Sequence, residues 1–173
     1  VMTMARSDTV TPVYRTKYKR DMVRWQWYAF SDLSTRELYA IAAARMRVFI
    51  VEQAIEYQDL DGFDFEAEHL VGWSGSDVAA YLRVLAPNER FADRSIGRVL
   101  TTQPFRGTGL GRELMQRALD RLDSRFPADS LRISAQAHLE RFYASLNFVT
   151  ASAPYLDEGI SHVEMVRAGR APG

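Results

Sequence analysis

The sequence predicts a single α/β domain, with one mixed β-sheet and helices on its faces. Segments typical of strands recur along the chain and are interrupted by segments with apolar residues at helical spacing. Hydrophobic residues make up 47% of the 173 residues, enough for one core. A glycine-rich stretch, FRGTGLGREL, joins a predicted strand to a predicted helix in the middle of the chain. Such a junction in a mixed sheet indicates a ligand crevice.

The first half of the domain begins with a strand and a long helix. Residues 23–30 alternate and are rich in aromatic side chains, as expected of a strand. Ser34 and Glu37 form a capping box, so a helix should begin there. Its apolar stripe carries two charged residues, Arg45 and Glu52, which lie seven residues apart on one face. The acidic, aromatic segment 54–69 is too long for a turn and is typical of a functional loop.

The second half alternates strands and helices. A hairpin turns around residues 74–77, a strand covers residues 95–102, and the glycine-rich stretch opens a helix that ends before Pro127. A strand at 131–136 then precedes a short helix that Asn147 should close in a left-handed conformation. Two last strands, at 149–155 and 160–167, flank a turn at 157–159. The predicted order is β, α, loop, β, β, β, α, β, α, β, β.

Residues 1–22 differ from the rest of the chain. They are mildly basic and have no apolar period, which predicts a flexible tail. We favour a solvated leader over the alternative, an arm that binds nucleic acid. We assign the domain to residues 23–168 and a C-terminal tail to residues 169–173.

Charge and composition argue against several classes of partner. Lys plus Arg and Asp plus Glu both number 22, so no overall charge favours a nucleic acid or a membrane surface. There is no cysteine, and the three histidines match no metal-ligand spacing, so we predict no metal. No segment resembles a signal peptide or a membrane span, and we expect a soluble cytoplasmic protein.

The glycine-rich stretch fits one of three phosphate-binding patterns. It has no Lys-Ser/Thr pair for a P-loop, and Arg112 stands where a dinucleotide fingerprint needs its third glycine. It does satisfy Arg/Gln-x-x-Gly-x-Gly/Ala through Arg106, Gly109 and Gly111. There, backbone N–H groups and the positive end of the helix can hold a pyrophosphate. The alternative is a tight turn in which the glycines only avoid steric clashes and bind no ligand.

Together with its surroundings, this stretch resembles the acyl-CoA-binding motif of the GNAT superfamily of N-acetyltransferases. The strand GRVLTT precedes it, and RISAQAHLERFYASLNF follows at the spacing of that superfamily. The segments RMRVFIVEQAIEYQDLDGFD and YLDEGISHVEM are similar to its ElaA-like branch. The resemblance extends from residue 25 to residue 167.

The resemblance implies a mostly antiparallel sheet whose fourth and fifth strands splay apart to admit acetyl-CoA. Gln136 stands where many members have Asn, and Asn147 where Gly is usual. The first change implies a looser hold on pantetheine. The residues that would bind acetyl-CoA are Val99, Leu100, Thr101, Arg106, Gly107, Thr108, Gly109, Leu110, Gly111, Arg112, Gln136 and Phe142.

The resemblance also implies direct attack of an amine on the thioester, which raises two proton problems. Tyr143 occupies the general-acid position that protonates the leaving thiolate, unless it is only a packed aromatic. A lysine-like amine, with a pKa near 10.4, is neutral in only about 1 molecule in 2,500 at pH 7, so a base is needed. Glu52 is our candidate, and the alternative is that it forms a structural pair with Arg45. His69 and His138 are the next candidates.

The acceptor is expected to be a primary amine on a small molecule or peptide. Tyr57, Asp59, His69 and His138 are the candidate acceptor contacts, and Asp61, Phe63 and Trp73 are further neighbours of the predicted pocket. The resemblance leaves open a homodimer. The alternative function is a module of the same fold that binds acyl-CoA without turnover.

Overall fold

A computed structural model describes residues 22–169. All but the last residue of the predicted N-terminal tail, and residues 170–173, therefore lie outside the described part. Within residues 22–169 no helix is long and apolar enough to cross a membrane. The elements are β1 (Arg24–Ala29), α1 (Thr35–Arg45), β2 (Glu68–Ser74), β3 (Asp77–Leu85), β4 (Arg94–Thr101), α2 (Leu110–Arg125), β5 (Leu131–Gln136), α3 (Glu140–Ala144), β6 (Val149–Thr150), β7 (Tyr155–Asp157) and β8 (Ile160–Arg167).

One mixed sheet organises the described residues, as predicted. Its order is β1-β2-β3-β4-β5-β8-β6, and β7 also pairs with β8. Every pairing is antiparallel except that between β4 and β5. The single parallel contact therefore lies in the middle of the sheet, with antiparallel pairings on either side.

The two central strands separate soon after they meet. Only Arg94 and Ser95 of β4 pair with β5, opposite Leu131 and Arg132. From Ile96 onwards, β4 pairs within the described chain only with β3. The expected splay of the fourth and fifth strands is thus present, and it opens a gap in the sheet.

Helices cover both faces of the sheet, and β3 shows why. Its side chains alternate between the two faces. Leu82 and Val84 pack in the core beneath α2, with Leu114. Tyr81 packs in the second core beneath α1, with Ile41. Both faces of this strand are therefore buried, which explains its almost uninterrupted apolar run.

The start of α1 and the end of α3 follow the sequence prediction. Glu37 N–H donates to Ser34 Oγ, and Ser34 N–H donates to the Glu37 carboxylate, which completes the capping box. Asn147 adopts φ 68°, the left-handed conformation expected after the short helix. Local sequence was sufficient here because both features depend on neighbouring residues only.

Two predicted elements differ from the structure. The first helix is α-helical only to Arg45, and Met46–Val51 forms a π-helical turn. There, Glu52 N–H donates to Arg47 O, five residues back. The strand predicted at 149–155 is divided into β6 and β7, since Thr150 pairs with Met165 but Tyr155 with His162. Pro154, which has no N–H, lies in the interruption.

Candidate active site

The gap between β4 and β5 forms a cavity of about 900 Å³. The π-helical turn, the loop that follows it and the β7–β8 turn form its other walls. The wider π winding turns Phe49, Glu52 and Gln53 towards this space. Short π segments are frequent at functional sites.

The β4 wall of the cavity offers unused backbone groups. Val99, Leu100 and Thr101 all line it. Leu100 and Thr101 pair on their other side with Tyr81 and Ala80 of β3. On the β5 side these three residues pair with no strand among residues 22–169, so their peptide groups, apart from the Thr101 carbonyl that accepts from Arg106 Nε, can pair with an extended ligand. The amide groups of a pantetheine arm suit such a slot.

Beyond β4, the glycine-rich turn leads into α2. Gly107 and Gly109 adopt φ 74° and 84°, a region that disfavours other residues. Gly109 is the N-cap of α2, and no side chain caps the helix. In the described chain the N–H groups of Gly109, Leu110 and Gly111 donate to no carbonyl. Free N–H groups at a helix start favour an anion such as pyrophosphate.

Several side chains of this turn and the start of α2 are occupied within the protein, and of residues 106–112 only Arg106 lines the cavity. Leu110 is fully buried in the core, so it can contribute its N–H but not its side chain. Thr108 Oγ donates to Phe105 O at 2.7 Å. Arg112 donates to Ser145 Oγ and lies 5.7 Å from the Phe142 ring centre, close to the start of the helix.

Arg106 and Glu52 meet at the edge of the cavity. Arg106 Nε donates to Thr101 O at 3.1 Å, which ties the turn to the end of β4. Its Nη2 lies 2.5 Å from a carboxylate oxygen of Glu52. The Glu52 side chain is 28% exposed, so this pair is only partly removed from water.

Tyr143 reaches the cavity from the opposite wall. Its ring is buried against Phe142 and Phe148, in edge-to-face contacts of 5.0 and 6.2 Å between ring centres. Burial raises the pKa of its hydroxyl to about 12. No hydrogen bond within residues 22–169 uses this hydroxyl, although the residue lines the cavity. Tyr143 therefore presents a protonated, unengaged donor at neutral pH.

Comparison with known proteins assigns the family. A family model described as an acetyltransferase (GNAT) domain matches residues 38–168. The chain belongs to the GNAT acetyltransferase family. It is 36% identical to ElaA of Escherichia coli over 148 residues, which cover 84% of this chain and 97% of that protein. It is 39% identical to a UPF0039 protein of Synechocystis over 145 residues, 83% of this chain and 94% of that protein.

Solved structures agree with this assignment. An acyl-CoA N-acyltransferase from Pseudomonas aeruginosa superposes with a TM-score of 0.80 at 38% identity, covering 84% of this chain and 99% of that one. The crystal structure of E. coli ElaA gives a TM-score of 0.79 at 36% identity over the same shares. The fold is therefore the GNAT fold, and membership of this family implies the use of an acyl-CoA. The slot and the helix start described above fit such a molecule.

Two other predicted site residues of this GNAT domain line the same cavity as Tyr143. Gln136 ends β5 and donates to Gln53 Oε1 at 3.2 Å, so it bridges two walls of the cavity. His138 lines the cavity just before α3. Within residues 22–169, no three His, Cys, Asp or Glu side chains are grouped to hold a metal ion.

The alternative role of Glu52, a structural pair with Arg45, is wrong. Arg45 is buried, and its guanidinium contacts Asp59 at 2.8 Å and Asp64 at 2.6 Å. In a regular α-helix, residues seven apart would share a face. The π-helical turn between the two residues winds more slowly and takes Glu52 off the face of Arg45, towards Arg106.

Arg45 belongs to a closed ring of six alternating charges that the sequence analysis missed. Its members, each within 3.0 Å of the next, are Arg45, Asp59, Arg98, Asp61, Arg83 and Asp64. Burial opposes the ionisation of Asp61, but Arg83 and Arg98 lower its pKa to about 2. Arg45 and Arg83 likewise lower the pKa of Asp64 against the effect of burial. The ring is neutral overall, and removing one member would leave a buried charge unpaired, at about 3–5 kcal/mol.

Two candidate acceptor contacts, Asp59 and His69, are engaged in the charge ring or packed against it. Asp59 is buried, and its carboxylate binds Arg45, Arg98 and the Tyr57 hydroxyl, so it is not a free acidic contact. His69 lies outside the cavity, and its ring nitrogens contact Tyr81 Oη at 2.8 Å and Asp64 O at 3.0 Å. Burial lowers the pKa of His69, which keeps it neutral. Both predictions are corrected to structural roles.

The aromatic candidates divide between the cavity and the core. Tyr57 and Phe63 line the cavity, from the loop that the ring holds. Trp73 is buried in the second core, where its Nε1 donates to Tyr28 Oη at 3.1 Å. Trp73 is therefore a core residue and not part of an acceptor pocket.

One indication of the ring was present in the sequence. Arg83 interrupts the apolar strand VAAYLRVLA, and a buried arginine needs anionic partners. The only acidic cluster nearby is the loop that contains Asp59, Asp61 and Asp64. The partner of Arg98 could not be found in this way, because GRVLTT reads as an ordinary strand.

Proposed function

We propose that this protein transfers an acetyl group from acetyl-CoA to a primary amine, by direct attack within a ternary complex. The observation that carries the proposal is the arrangement around one cavity. The open side of β4 and Tyr143 line it, and so does Arg106, which belongs to the turn that leads into the uncapped start of α2. Transfer of an acyl group from a CoA thioester needs these three elements: an arm slot, a phosphate site and a proton donor.

The residues that would hold acetyl-CoA follow from this arrangement. Val99, Leu100 and Thr101 would pair with the pantetheine amides, and the N–H groups from Gly109 to Gly111 would bind the pyrophosphate. Arg106 adds a cation at the same edge. When bound, acetyl-CoA supplies an acyl group activated as a thioester, which the amine nitrogen takes as the C–S bond breaks.

Tyr143 would hold the proton that the leaving sulfur needs. Its raised pKa keeps the hydroxyl protonated at neutral pH, and a developing thiolate would be its first strong acceptor. A positioned acid of this kind contributes about 10²–10⁴ in rate. The edge-to-face packing of Tyr143 on Phe142 and Phe148 fixes the direction of the hydroxyl.

Glu52 would take the proton from the ammonium, through a water. It lines the cavity, and its cationic partner is Arg106. Two further carboxylates of the cavity, Asp157 and Glu158, form no ion pair in the described chain and favour a cationic acceptor. His138 also lines the cavity and is the alternative base.

The decisive experiment measures CoA release. Purified protein is incubated with acetyl-CoA and, one at a time, a set of small amines and peptides, and the free thiol is followed. Amine-dependent release, with acetylated amine found by mass spectrometry, supports the proposal. Acetyl-CoA binding by calorimetry without release from any amine would instead support the binding module.

A further inference from the structure

The charge ring joins the two halves of the proposed site. Two of its arginines, Arg45 and Arg83, come from α1 and β3. The third, Arg98, comes from β4, the strand that forms the acyl-CoA slot. Its carboxylates, Asp59, Asp61 and Asp64, all belong to the segment that follows Glu52, the proposed base, and we call this segment the acceptor-side loop.

Arg98 also lies at an irregularity of β4. Tyr81 pairs with Leu100, whereas Arg83 pairs with Gly97. One β3 residue therefore lies opposite two β4 residues, Arg98 and Val99, which is a β-bulge. Arg98 has φ 53°, an unfavourable conformation for a residue other than glycine. Such strain persists only where surrounding contacts hold it.

The contacts that hold Arg98 come from the acceptor-side loop. Its Nε donates to Asp59 Oδ1 at 2.7 Å, and its Nη2 donates to Asp59 O at 3.1 Å and to Asp61 Oδ2 at 3.0 Å. The guanidinium also lies 5.6 Å from the centre of the Tyr57 ring. The side chain is 15% exposed, so these contacts are largely shielded from water.

We propose that Arg98 is a positioning residue, which couples the acceptor-side loop to the acyl-CoA slot through its bonds to Asp59 and Asp61. By holding the bulge, it directs Val99, Leu100 and Thr101 along the open side of β4. The inference rests on the proposed function. It adds that a change on the acceptor side of the cavity weakens acyl-CoA binding.

Asp61→Asn gives the sharpest test, because direct electrostatics and the proposed coupling predict opposite changes in the affinity for CoA. CoA carries negative phosphates, so removing a nearby negative charge should strengthen binding by direct electrostatics. Loss of the ion pair between Asp61 and Arg98, which holds the loop to β4, should weaken CoA binding. We expect the Kd for CoA, measured by calorimetry, to rise roughly fivefold or more, the lower end of usual coupling between sites.

Arg98→Lys is the second variant, and it decides the matter should the first not fold. It keeps the positive charge but cannot reproduce three bonds from two nitrogens. We expect weaker CoA binding here too. The matched controls are Asp123→Asn and Arg167→Lys, since that pair has the same side-chain exposures, 20% and 15%, as Asp61 and Arg98. The controls should keep the wild-type Kd.

The outcomes separate this inference from the proposed function. Unchanged or tighter CoA binding in the folded variants, or an equal loss in the controls, would overturn the coupling and leave the proposed function intact. Failure of the wild-type protein to bind CoA would overturn both. Weaker binding in Asp61→Asn and Arg98→Lys alone would establish the coupling.

Discussion

The guanidinium of Arg106 lies 2.5 Å from the carboxylate of Glu52, across 54 positions of sequence. Arg106 is the first residue of the phosphate-binding pattern, and Glu52 is the proposed base. One ion pair therefore links the candidate residues for the two substrates. The anionic phosphates and the carboxylate of Glu52 would share the same cation, so binding of the two substrates would meet at Arg106.

Glu52→Gln should lower turnover and leave the fold intact, because the amide keeps the shape of the side chain but cannot accept a proton. Part of the loss should return as the pH rises towards 10, where a lysine-like amine, with a pKa of about 10.4, is increasingly neutral without help. The measurement is kcat against pH at saturating acetyl-CoA. Glu56→Gln, an exposed change in the following loop, is the control. A parallel loss at every pH would argue that Glu52 is structural.

Tyr143→Phe should reduce kcat by about 10²-fold or more, the lower end of the usual range of acid catalysis, and leave CoA affinity unchanged. Thermal unfolding should be nearly unaffected, since the hydroxyl bonds to nothing in the described chain. Tyr28→Phe is a reciprocal control: Tyr28 is equally buried, but its hydroxyl contacts Glu37 and Trp73. It should lose stability and keep turnover. Full activity of Tyr143→Phe would assign Tyr143 to packing alone.

Gly109→Asn should weaken CoA binding by about 10-fold or more, because its side chain would occupy the space proposed for the pyrophosphate oxygens. This loss is equivalent to one or two hydrogen bonds between the pyrophosphate and the backbone N–H groups. Asparagine tolerates the left-handed φ of 84°, whereas a β-branched residue would be strained there. Calorimetry with CoA gives the affinity. Gly75→Asn, at φ 63° in the β2–β3 turn, is the control for backbone cost and should bind normally. Equal affinities in the two variants would remove pyrophosphate from the start of α2.

Asp61 should contribute to stability in a defined pH window. Its pKa is lowered to about 2 in the folded protein, against an ordinary value of about 3.9. The contribution is therefore complete above about pH 4 and is lost as the pH falls towards 2. Urea unfolding at pH 6 and pH 3 should show a smaller acid-induced drop for Asp61→Asn than for the wild type. An identical drop would show that the pKa of Asp61 is the same in the folded and in the unfolded chain.

Much of the fold could be predicted from the sequence, because its determinants are local. The capping box at Ser34, the left-handed Asn147 and the β7–β8 turn depend on residues close to one another in the chain. The glycines of the turn before α2 have the φ values that phosphate loops require. The separated motifs, in their order and spacing, were enough to indicate the GNAT family, which comparison confirmed.

Tertiary structure decided the ionic partners, since ion pairs across a fold depend on helix winding and strand register. A regular α-helix would have placed Glu52 on the same face as Arg45. The π-helical turn directs Glu52 towards Arg106 instead, and the two side chains form an ion pair. A bulge in β4 turned Arg98 towards Asp59 and Asp61. Neither irregularity has a local sequence signature, because each is stabilised by contacts that form only when distant segments pack. The sequence by itself thus determined the family and the glycine turn before α2, and packing determined which charges meet.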